Sequence, residues 1–591
     1  VGPGGQLLTL QPGVLDGLPS NGDVEMNLIP VNYWNSISVV RDIDANDNTL
    51  RRHSKNPTVV GAKDRFAANG GAYNLMNALK FLTQPGEWCV DSAAGRVYFW
   101  PENGSPASEK IWAPTTYRLM ELKGDGEGKS LVHDLEFRGL SFTCTDRLPE
   151  DQWPDEWVKR QAELPDAMLY MEGVENCVVD SCTFTDSGSY AVALQDYAQK
   201  NRITHNEMGW LGCGGVLLQG FGPGTTDVNQ DNIISRNYIH HTGAGGYMHS
   251  AAVTLYQSGG NDISLNWIDK VPYTGIAIAG CAPDEFGPGK ESRVWDSYGS
   301  SEAMYRPRWN ELPEGRDTTF TREQIKPFLF SGKNRIRDNI VTDYMTRLHD
   351  GGALYCWGCG MGNVWEGNLL RRDKTQAGES LTFALYMDDW VDGATIKDNI
   401  CWHKGRPTIN KGANKWENNV IQPEKPAGYD RRLMGIVAES AKDGGWLRTP
   451  PDAEIPTLAI SGAGRFIKET QVSLLTLLDG VIHYTTDGST PTADSPVYSA
   501  PITLDQTTTV NAIVTDRSGK VMTAAVDKLF TRLEVKPLKS GEWVQAADVE
   551  DMSGPRLDDR KESIVSFDDG GVFAFGPFRF ETGQLQAVEL M

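Results

Sequence analysis

The chain has 591 residues, of which 39% are hydrophobic and 17 are tryptophan. This composition excludes a disordered chain, and the length exceeds what one compact core accommodates. A net charge of −22 without any lysine- or arginine-rich run excludes nucleic acid as an expected partner. No apolar run approaches the ~20 residues of a membrane span, so no membrane span is expected.

The 9 cysteines include one isolated CxxC pair, Cys356 and Cys359, and we expect most of the others to be buried free thiols.

A short asparagine motif recurs through the middle of the chain. It reads Asn-x-apolar-x-x-Asn-x-apolar and occurs clearly at Asn201/Asn206, Asn232/Asn237, Asn261/Asn266 and Asn334/Asn339, with weaker copies at Asn368, Asn399 and Asn419. An earlier copy is read at Asn176/Ser181. Most steps between copies are close to 30 residues, the length of one solenoid rung of three strands, and equivalent asparagines are expected to stack along the solenoid. The motif therefore predicts a parallel β-helix over residues 126–425, on which a β-rich N-terminal segment, residues 1–125, is expected to pack.

A second strand follows each asparagine turn and alternates strictly in polarity. Period-2 alternation turns Val192, Val253, Ile276, Leu354 and Leu385 inward, together with Leu194, Leu255, Ile278 and Met387. The opposite face carries Thr254, Tyr256, Tyr355, Trp357, Tyr386 and Asp388. An insertion over residues 279–333, rich in Trp, Tyr, Arg and Pro, is expected to help build the binding face, because long loops on one side of a solenoid usually do so.

Carboxylates converge on that outward face. Asp350 precedes one outward strand and the pair Asp388–Asp389 follows the next, so they are expected at opposite ends of neighbouring rungs. Glycoside hydrolysis needs two carboxyl groups flanking the scissile bond, and we predict Asp350 with Asp388 or Asp389 as the catalytic pair, without assigning their roles. His249 holds the same lateral position as Asp350 on another rung, and His349 adjoins Asp350; both are predicted to contact substrate.

Aromatic and basic residues complete the predicted substrate site. A sugar platform is expected from Tyr256, Tyr355, Trp357, Tyr386 and Trp390, because apolar sugar faces stack on aromatic rings. Arg371 and Arg372, with Lys374, are read as part of the loop before Asp388, where they would meet an acidic sugar. No cofactor or metal motif is present, so none is expected; a structural or lyase-type Ca²⁺ ion stays an alternative.

Several segments of the chain resemble right-handed parallel β-helix glycoside hydrolases of bacteria, and glycoside hydrolase family 141 in particular. The resemblance rests on LKFLTQPGEWCVD at 79–91, GRVYFWP at 95–101, HSA at 249–251, PYTGI at 272–276, DGGALY at 350–355 and YMDD at 386–389. It covers about residues 70–445. That family includes an α-L-fucosidase and xylanases. The resemblance therefore implies a bacterial glycosidase, and we expect the enzyme to be secreted, periplasmic or located at the cell surface.

The remaining chain is predicted to be β-rich as well. Residues 426–454 are read as a linker. Residues 455–535 resemble the chitobiase C-terminal-type module, an immunoglobulin-like β-sandwich, on the segment HYTTDGSTPT at 483–492, in which Asp-Gly-Ser forms a hairpin turn. Residues 536–591 are read as a partial β-rich module. Because the chain begins at Val1 and ends in a strand-like run, we expect a trimmed N-terminus and a cut C-terminus.

The sequence thus predicts an all-β glycosidase that acts on a plant or algal polysaccharide or oligosaccharide, as a monomer. Two alternatives stay open on the same scaffold. A polysaccharide lyase would release unsaturated sugars and would need a base and a group that neutralises a uronate. A non-catalytic adhesin or glycan-binding module would bind without releasing product.

Overall fold

The computed structural model describes most of the chain. It covers residues 6–29, 33, 35–53, 72–102, 111–153, 166–226, 228–245, 249–280, 306–313, 321–372, 381–440, 457–462, 465–466, 469–476, 478, 480–532 and four short strands between 551 and 574. Two compact units are distinguished. The first spans residues 1–426 and 439–447, and the second spans residues 427–438 and 448–591.

The first unit contains a parallel β-helix with three sheets, and successive rungs add strands to each of them. In sheet III, two of the rungs contribute two short strands each. Sheet I contains Glu136–Arg138, Val178–Asp180, Arg202–Thr204, Ile233–Ser235, Asp262–Ser264, Arg335–Arg337, Val364–Glu366, Thr395–Lys397 and Lys415–Glu417. Sheet II contains Ser141–Thr145, Thr183–Ser187, Glu207–Leu211, Tyr238–His240, Trp267–Asp269, Ile340–Thr342, Leu369–Arg372, Ile400–His403 and Val420–Gln422. Sheet III contains Met120–Lys123, Val132–His133, Ala167–Glu175, Tyr190–Gln199, Val216–Gln219, Asn229–Gln230, Val253–Tyr256, Ile276–Ala279, Gly351–Trp357, Thr382–Met387 and Thr408–Asn410.

The remaining elements are mostly antiparallel strands. An N-terminal sheet is formed by Gln6–Thr9, Glu25–Ile29, Ser36–Asp44, Thr49–His53 and Ala72–Met76, and a hairpin by Trp88–Asp91 and Arg96–Phe99. The second unit has a sheet of Leu458–Ser461, Thr470–Thr476 and Ile502–Leu504 and another of Arg465–Phe466, Val481–Thr485, Thr508–Thr515 and Val526–Arg532. Two further strand pairs join Asp551–Ser553 to Val572–Ala574 and Arg556–Leu557 to Ile564–Ser566.

Helical segments are few and short in the described part of the chain. The α-helices there are Arg322–Ile325 and Tyr429–Ser440, the latter within the stretch read as a linker, and the 3₁₀ turns are Leu79–Phe81, Glu150–Gln152, Trp309–Glu311 and Lys326–Phe328. None of the helices that the structure describes is long and apolar enough to cross a membrane.

Two columns of asparagines run along the β-helix, as the repeat predicted. One column is Asn201, Asn232, Asn261, Asn334 and Asn363, and the other is Asn206, Asn237, Asn266, Asn339, Asn368, Asn399 and Asn419. Except at the last asparagine of each column, the side-chain Nδ2 donates to the Oδ1 of the next rung at 2.8–3.3 Å. The residue before many of these asparagines has a positive φ, as at His205 (56°) and Asp231 (56°). The columns thus satisfy buried polar groups at every turn.

The earliest copy of the motif is shifted by one residue from the prediction. Cys177 and Cys182, rather than Asn176 and Ser181, stand opposite the asparagine columns. Their backbone N–H groups donate to Asn201 Oδ1 at 2.9 Å and to Asn206 Oδ1 at 2.8 Å. Asn176 and Ser181 instead have the positive φ of the preceding position, 54° and 55°. The prediction for this copy was wrong because asparagine also suits the left-handed position.

The predicted inward face of sheet III is confirmed. The core contains Val192, Leu194, Val253, Leu255, Ile276, Ile278, Leu354, Leu385 and Met387, all fully buried. Cys356 and Cys359 form a disulfide, whereas six other cysteines of the described ranges are free thiols, five of them buried. Of the 279–333 insertion, the structure describes residues 279–280, 306–313 and 321–333. The latter two ranges lie on the outer side of sheet III near Ala279 and Trp357.

Candidate active site

Two aspartates lie on adjacent rungs at the outer face of sheet III. Asp350 immediately precedes the strand Gly351–Trp357, and Asp388 immediately follows the strand Thr382–Met387. These strands pair in parallel with Tyr355 opposite Tyr386. Two hydrogen bonds cross between the rungs: Tyr355 Oη donates to Asp388 Oδ2 at 2.9 Å, and Tyr386 Oη donates to Asp350 Oδ1 at 3.0 Å. The register of one strand pair therefore connects both carboxylates.

The backbone around Asp350 fixes the position of its side chain. Asp350 has a φ of 61°, its N–H donates to Leu381 O at 2.6 Å, and its carbonyl accepts from Tyr273 Oη at 2.7 Å. A Cβ at Gly351 would come within 2.7 Å of the Tyr273 ring, so only glycine permits this close approach. Burial raises the pKa of Asp350, and the charge of Asp388 adds to the increase, against the opposing hydrogen bond from Tyr386.

Lys411, on the next rung, was not predicted from the sequence. It follows the strand Thr408–Asn410, and its Nζ lies 2.5 Å from Asp388 Oδ1 and 3.2 Å from Asp389 Oδ2. Partial burial would lower the pKa of Lys411, but the hydrogen bonds and charges of Asp388 and Asp389 raise it. Asp388 is the inner carboxylate at 13% side-chain exposure, and Asp389 is the outer one at 57%. Lys411 holds the position on the next rung that is equivalent to Asp388, because Met387 pairs with Asn410. Aligning that rung with the one before it would have identified Lys411.

A row of aromatic rings extends from Asp350 across the neighbouring rungs. His249 stacks on Tyr273 with ring centroids 5.4 Å apart, and Tyr33, from the N-terminal segment, lies 6.1 Å from His249. Tyr33 and Tyr273 were not predicted as site residues. Burial, followed by the charges of Asp350 and Asp388, raises the pKa of Tyr273 well above its ordinary value, and similar causes raise the pKa of Tyr355 and Tyr386. These phenols are therefore hydrogen-bond donors at neutral pH.

The other predicted aromatic residues lie beside this cluster but form no open platform. Tyr256 is 7% exposed and packs with Ala279 and Trp357. Trp357 also contacts the insertion at Leu312, Ile325 and Leu329. His349 and Trp390, which adjoin Asp350 and Asp389, are half-buried.

Two arginines lie elsewhere than predicted. Arg371 and Arg372 belong to the sheet II strand Leu369–Arg372 rather than to a loop, because they continue the register of Thr342 and Trp402. The Arg371 guanidinium lies 4.8 Å from the Trp402 ring centroid. Arg372 is 4% exposed and donates to the Tyr344 carbonyl at 3.0 Å. The loop assignment was therefore wrong, and Lys374 lies outside the described residues.

The chemistry available at this site is that of carboxyl groups and phenols. In the described ranges, no three His, Cys, Asp or Glu side chains are grouped so as to hold a metal ion. A half-buried carboxyl with a raised pKa, on the rung next to a second carboxyl that contacts a lysine, is an arrangement that suits one acid and one base or nucleophile.

Comparisons with known proteins identify the two folds. The family model for the right handed beta helix region matches residues 166–283, and the model for the chitobiase/beta-hexosaminidase C-terminal domain matches residues 461–526. The protein is thus a right-handed parallel β-helix protein with a C-terminal β module, as predicted.

Solved structures similar to the chain share little sequence with it. A glycoside hydrolase is 18% identical, with 69% of this chain and 70% of that chain covered and a TM-score of 0.49. The Streptococcus pneumoniae surface protein and adhesin PfbA is 11% identical, with coverages of 52% and 80% and a TM-score of 0.21. The catalytic domain of a GH87 alpha-1,3-glucanase is 11% identical, with coverages of 49% and 60% and a TM-score of 0.15. No curated protein matches the chain.

Proposed function

We propose that this protein is a glycoside hydrolase that cleaves a plant or algal polysaccharide or oligosaccharide with Asp350 and Asp388. The observation that carries the proposal is the pair of carboxylates on adjacent rungs, connected crosswise by Tyr355 and Tyr386. Hydrolysis of a glycosidic bond requires one carboxyl group to protonate the leaving oxygen and a second to attack the sugar or activate water.

The surroundings of the two carboxylates favour different roles. Asp350 is the proposed general acid, because burial and the nearby charge of Asp388 raise its pKa above the ordinary value of an aspartate. Asp388 is the proposed nucleophile or base, because it accepts hydrogen bonds from Lys411 and Tyr355 in its carboxylate form. His249 is proposed to contact the sugar, whereas Tyr256 and Trp357 act as walls of the site. Tyr386, which is 3% exposed, is proposed to position Asp350 through its hydrogen bond at 3.0 Å.

A product screen tests the proposal. The protein is incubated with a panel of plant and algal polysaccharides and their oligosaccharides, and both reducing ends and ultraviolet absorbance are recorded. We expect new reducing ends without absorbance. Asp350→Asn and Asp388→Asn should each lower turnover by about 10²–10⁴-fold, the usual contribution of general acid–base catalysis.

Asp389→Asn is the matched control, because Asp389 also contacts Lys411 but is far more exposed than Asp388. We expect less than about a threefold change in turnover for this variant. Full turnover by Asp350→Asn would refute the proposed pair. Absorbance that rises with the reducing ends would instead identify a polysaccharide lyase, and binding of the panel without any product would identify an adhesin.

We also propose that the protein acts outside the cytoplasm. The support is the module matched at residues 461–526, a type of spacer that extracellular enzymes usually carry. Fractionation of the native host with an antibody against this chain tests the location. Recovery in the cytoplasmic fraction alone would refute it.

A further inference from the structure

An aromatic pair, exposed Trp210 and half-buried His241, lies on sheet II, away from the aspartates of sheet III. Trp210 is 57% exposed, a high value for so large an apolar side chain. Its ring stacks on His241 with centroids 4.1 Å apart and an interplanar angle of 17°. The register of Gly209 with His240 places Trp210 and His241 at equivalent positions on consecutive rungs. The stack therefore forms a flat apolar surface at the edge of the solenoid.

Neighbouring residues hold this pair in place. A Cβ at Gly209 would lie 2.2 Å from the His240 ring, so glycine leaves the space that the imidazole occupies. Tyr238 stacks on the same imidazole with centroids 4.3 Å apart, and His240 Nδ1 lies 2.8 Å from His241 Nδ1. Burial, followed by the charge of His241, lowers the pKa of His240 to about 4. His240 is thus a neutral ring whose hydrogen bond orients His241 at neutral pH.

The rung on the other side of Trp210 supplies a carboxylate. The register of Thr185 with Gly209 places Asp186 opposite Trp210, and Asp186 is exposed. Its carboxylate lies 3.4 Å from the Thr143 hydroxyl, which donates to it. An apolar ring bordered by an acceptor carboxylate is the combination that binds a sugar, whose ring face is apolar and whose edge carries hydroxyl donors.

We propose that Trp210, His241 and Asp186 form a second glycan-binding surface, which holds a neutral polysaccharide chain by one sugar ring stacked on Trp210. The carboxylate of Asp186 disfavours acidic sugars through charge repulsion. The surface lies on sheet II, whereas Asp350 and Asp388 adjoin strands of sheet III. It would therefore bind the polymer without taking part in the proposed hydrolysis. The inference is independent of the proposed hydrolysis, since binding here requires no bond cleavage.

Binding of the full chain to insoluble cellulose, xylan, chitin and α-glucan tests this surface. The wild-type protein should bind at least one of these polymers, and Trp210→Ala should weaken that binding about tenfold or more, as expected when a stacked aromatic ring is lost. Asp186→Ala should weaken it less. Turnover of soluble oligosaccharides and the melting temperature should stay unchanged in both variants.

Trp112→Ala is the matched control, because Trp112 is also exposed, at 77%, but precedes the strand Met120–Lys123 and lies outside sheet II. It should therefore contribute nothing to binding. Absence of wild-type binding to all four polymers, unchanged binding by both Trp210→Ala and Asp186→Ala, or an equal loss in Trp112→Ala would overturn the inference. Asp350→Asn separates the two proposals, since it should lower turnover by about 10²–10⁴-fold and leave polymer binding intact.

Discussion

The turns between the sheets and the outer face of sheet III use polar residues in opposite ways. At the turns, the same amide recurs on rung after rung, and the asparagines inside each column donate to and accept from their neighbours in full burial. On the outer face, each rung carries a different residue, and the aspartates are held by partners from neighbouring rungs. Repetition thus serves stability, whereas variation between rungs builds a site.

The largest effect is expected from breaking the asparagine column at its centre. Asn266 accepts from Asn237 at 3.0 Å and donates to Asn339 at 3.0 Å and to the Ile234 carbonyl at 2.9 Å. Asn266→Ala leaves these buried groups unsatisfied and should lower the free energy of unfolding by about 2–4 kcal/mol. Denaturant titration measures the loss.

Asn419→Ala is the control for this change, because Asn419 is partly buried at the end of the column and accepts only from Asn399. The Asn419→Ala variant should lose about 1 kcal/mol of the free energy of unfolding. Equal losses in the two variants would mean that the column acts through single bonds rather than as a continuous buried network.

An intermediate effect on catalysis is expected when the positive charge of Lys411, which contacts Asp388 and Asp389, is removed. Lys411→Met should lower kcat about tenfold, because Asp388 loses its contact at 2.5 Å. The charge of Lys411 also lowers the pKa of Asp350. Without this charge, Asp350, the proposed general acid, should keep its proton to higher pH, and the alkaline limb of the kcat/KM profile should move to higher pH.

Lys415→Met is the control, because Lys415 is 67% exposed and pairs with Glu417 on sheet I. It should change neither kcat nor the pH profile. An unshifted profile in Lys411→Met would contradict the positioning role of Lys411.

The smallest effect is expected on the thermal stability of the protein when Asp350 of the candidate active site is replaced. Burial raises the pKa of Asp350, so the carboxylate destabilises the folded state once the pH exceeds the pKa of the unfolded chain. Asp350→Asn should therefore raise the melting temperature at pH 7, by about 1–3 °C, and the increase should shrink toward pH 4. Calorimetry at both pH values measures the difference. An increase that does not depend on pH would contradict this cause.

The site was predictable where its residues continue the repeat. Asp350 and Asp388 follow from strand alternation, and the structure brings both into one network with Tyr355 and Tyr386. Arg371 and Arg372 were misplaced because rung boundaries vary with the length of the loops. Tyr33 could not be found at all, since the N-terminal segment has no period that relates it to the β-helix.

The sequence by itself determined the rung, its inward face and its buried asparagine columns. These features repeat, and each depends on contacts between equivalent residues of neighbouring rungs. Only the tertiary structure decided which partners lie around the carboxylates. Lys411 contacts Asp388, and Tyr273 donates to the backbone carbonyl of Asp350. Tyr33 stacks on His249 from a segment that lies outside the repeat. The same is true of Trp210, whose exposure depends on the small neighbour Gly209 and on the ring of His241.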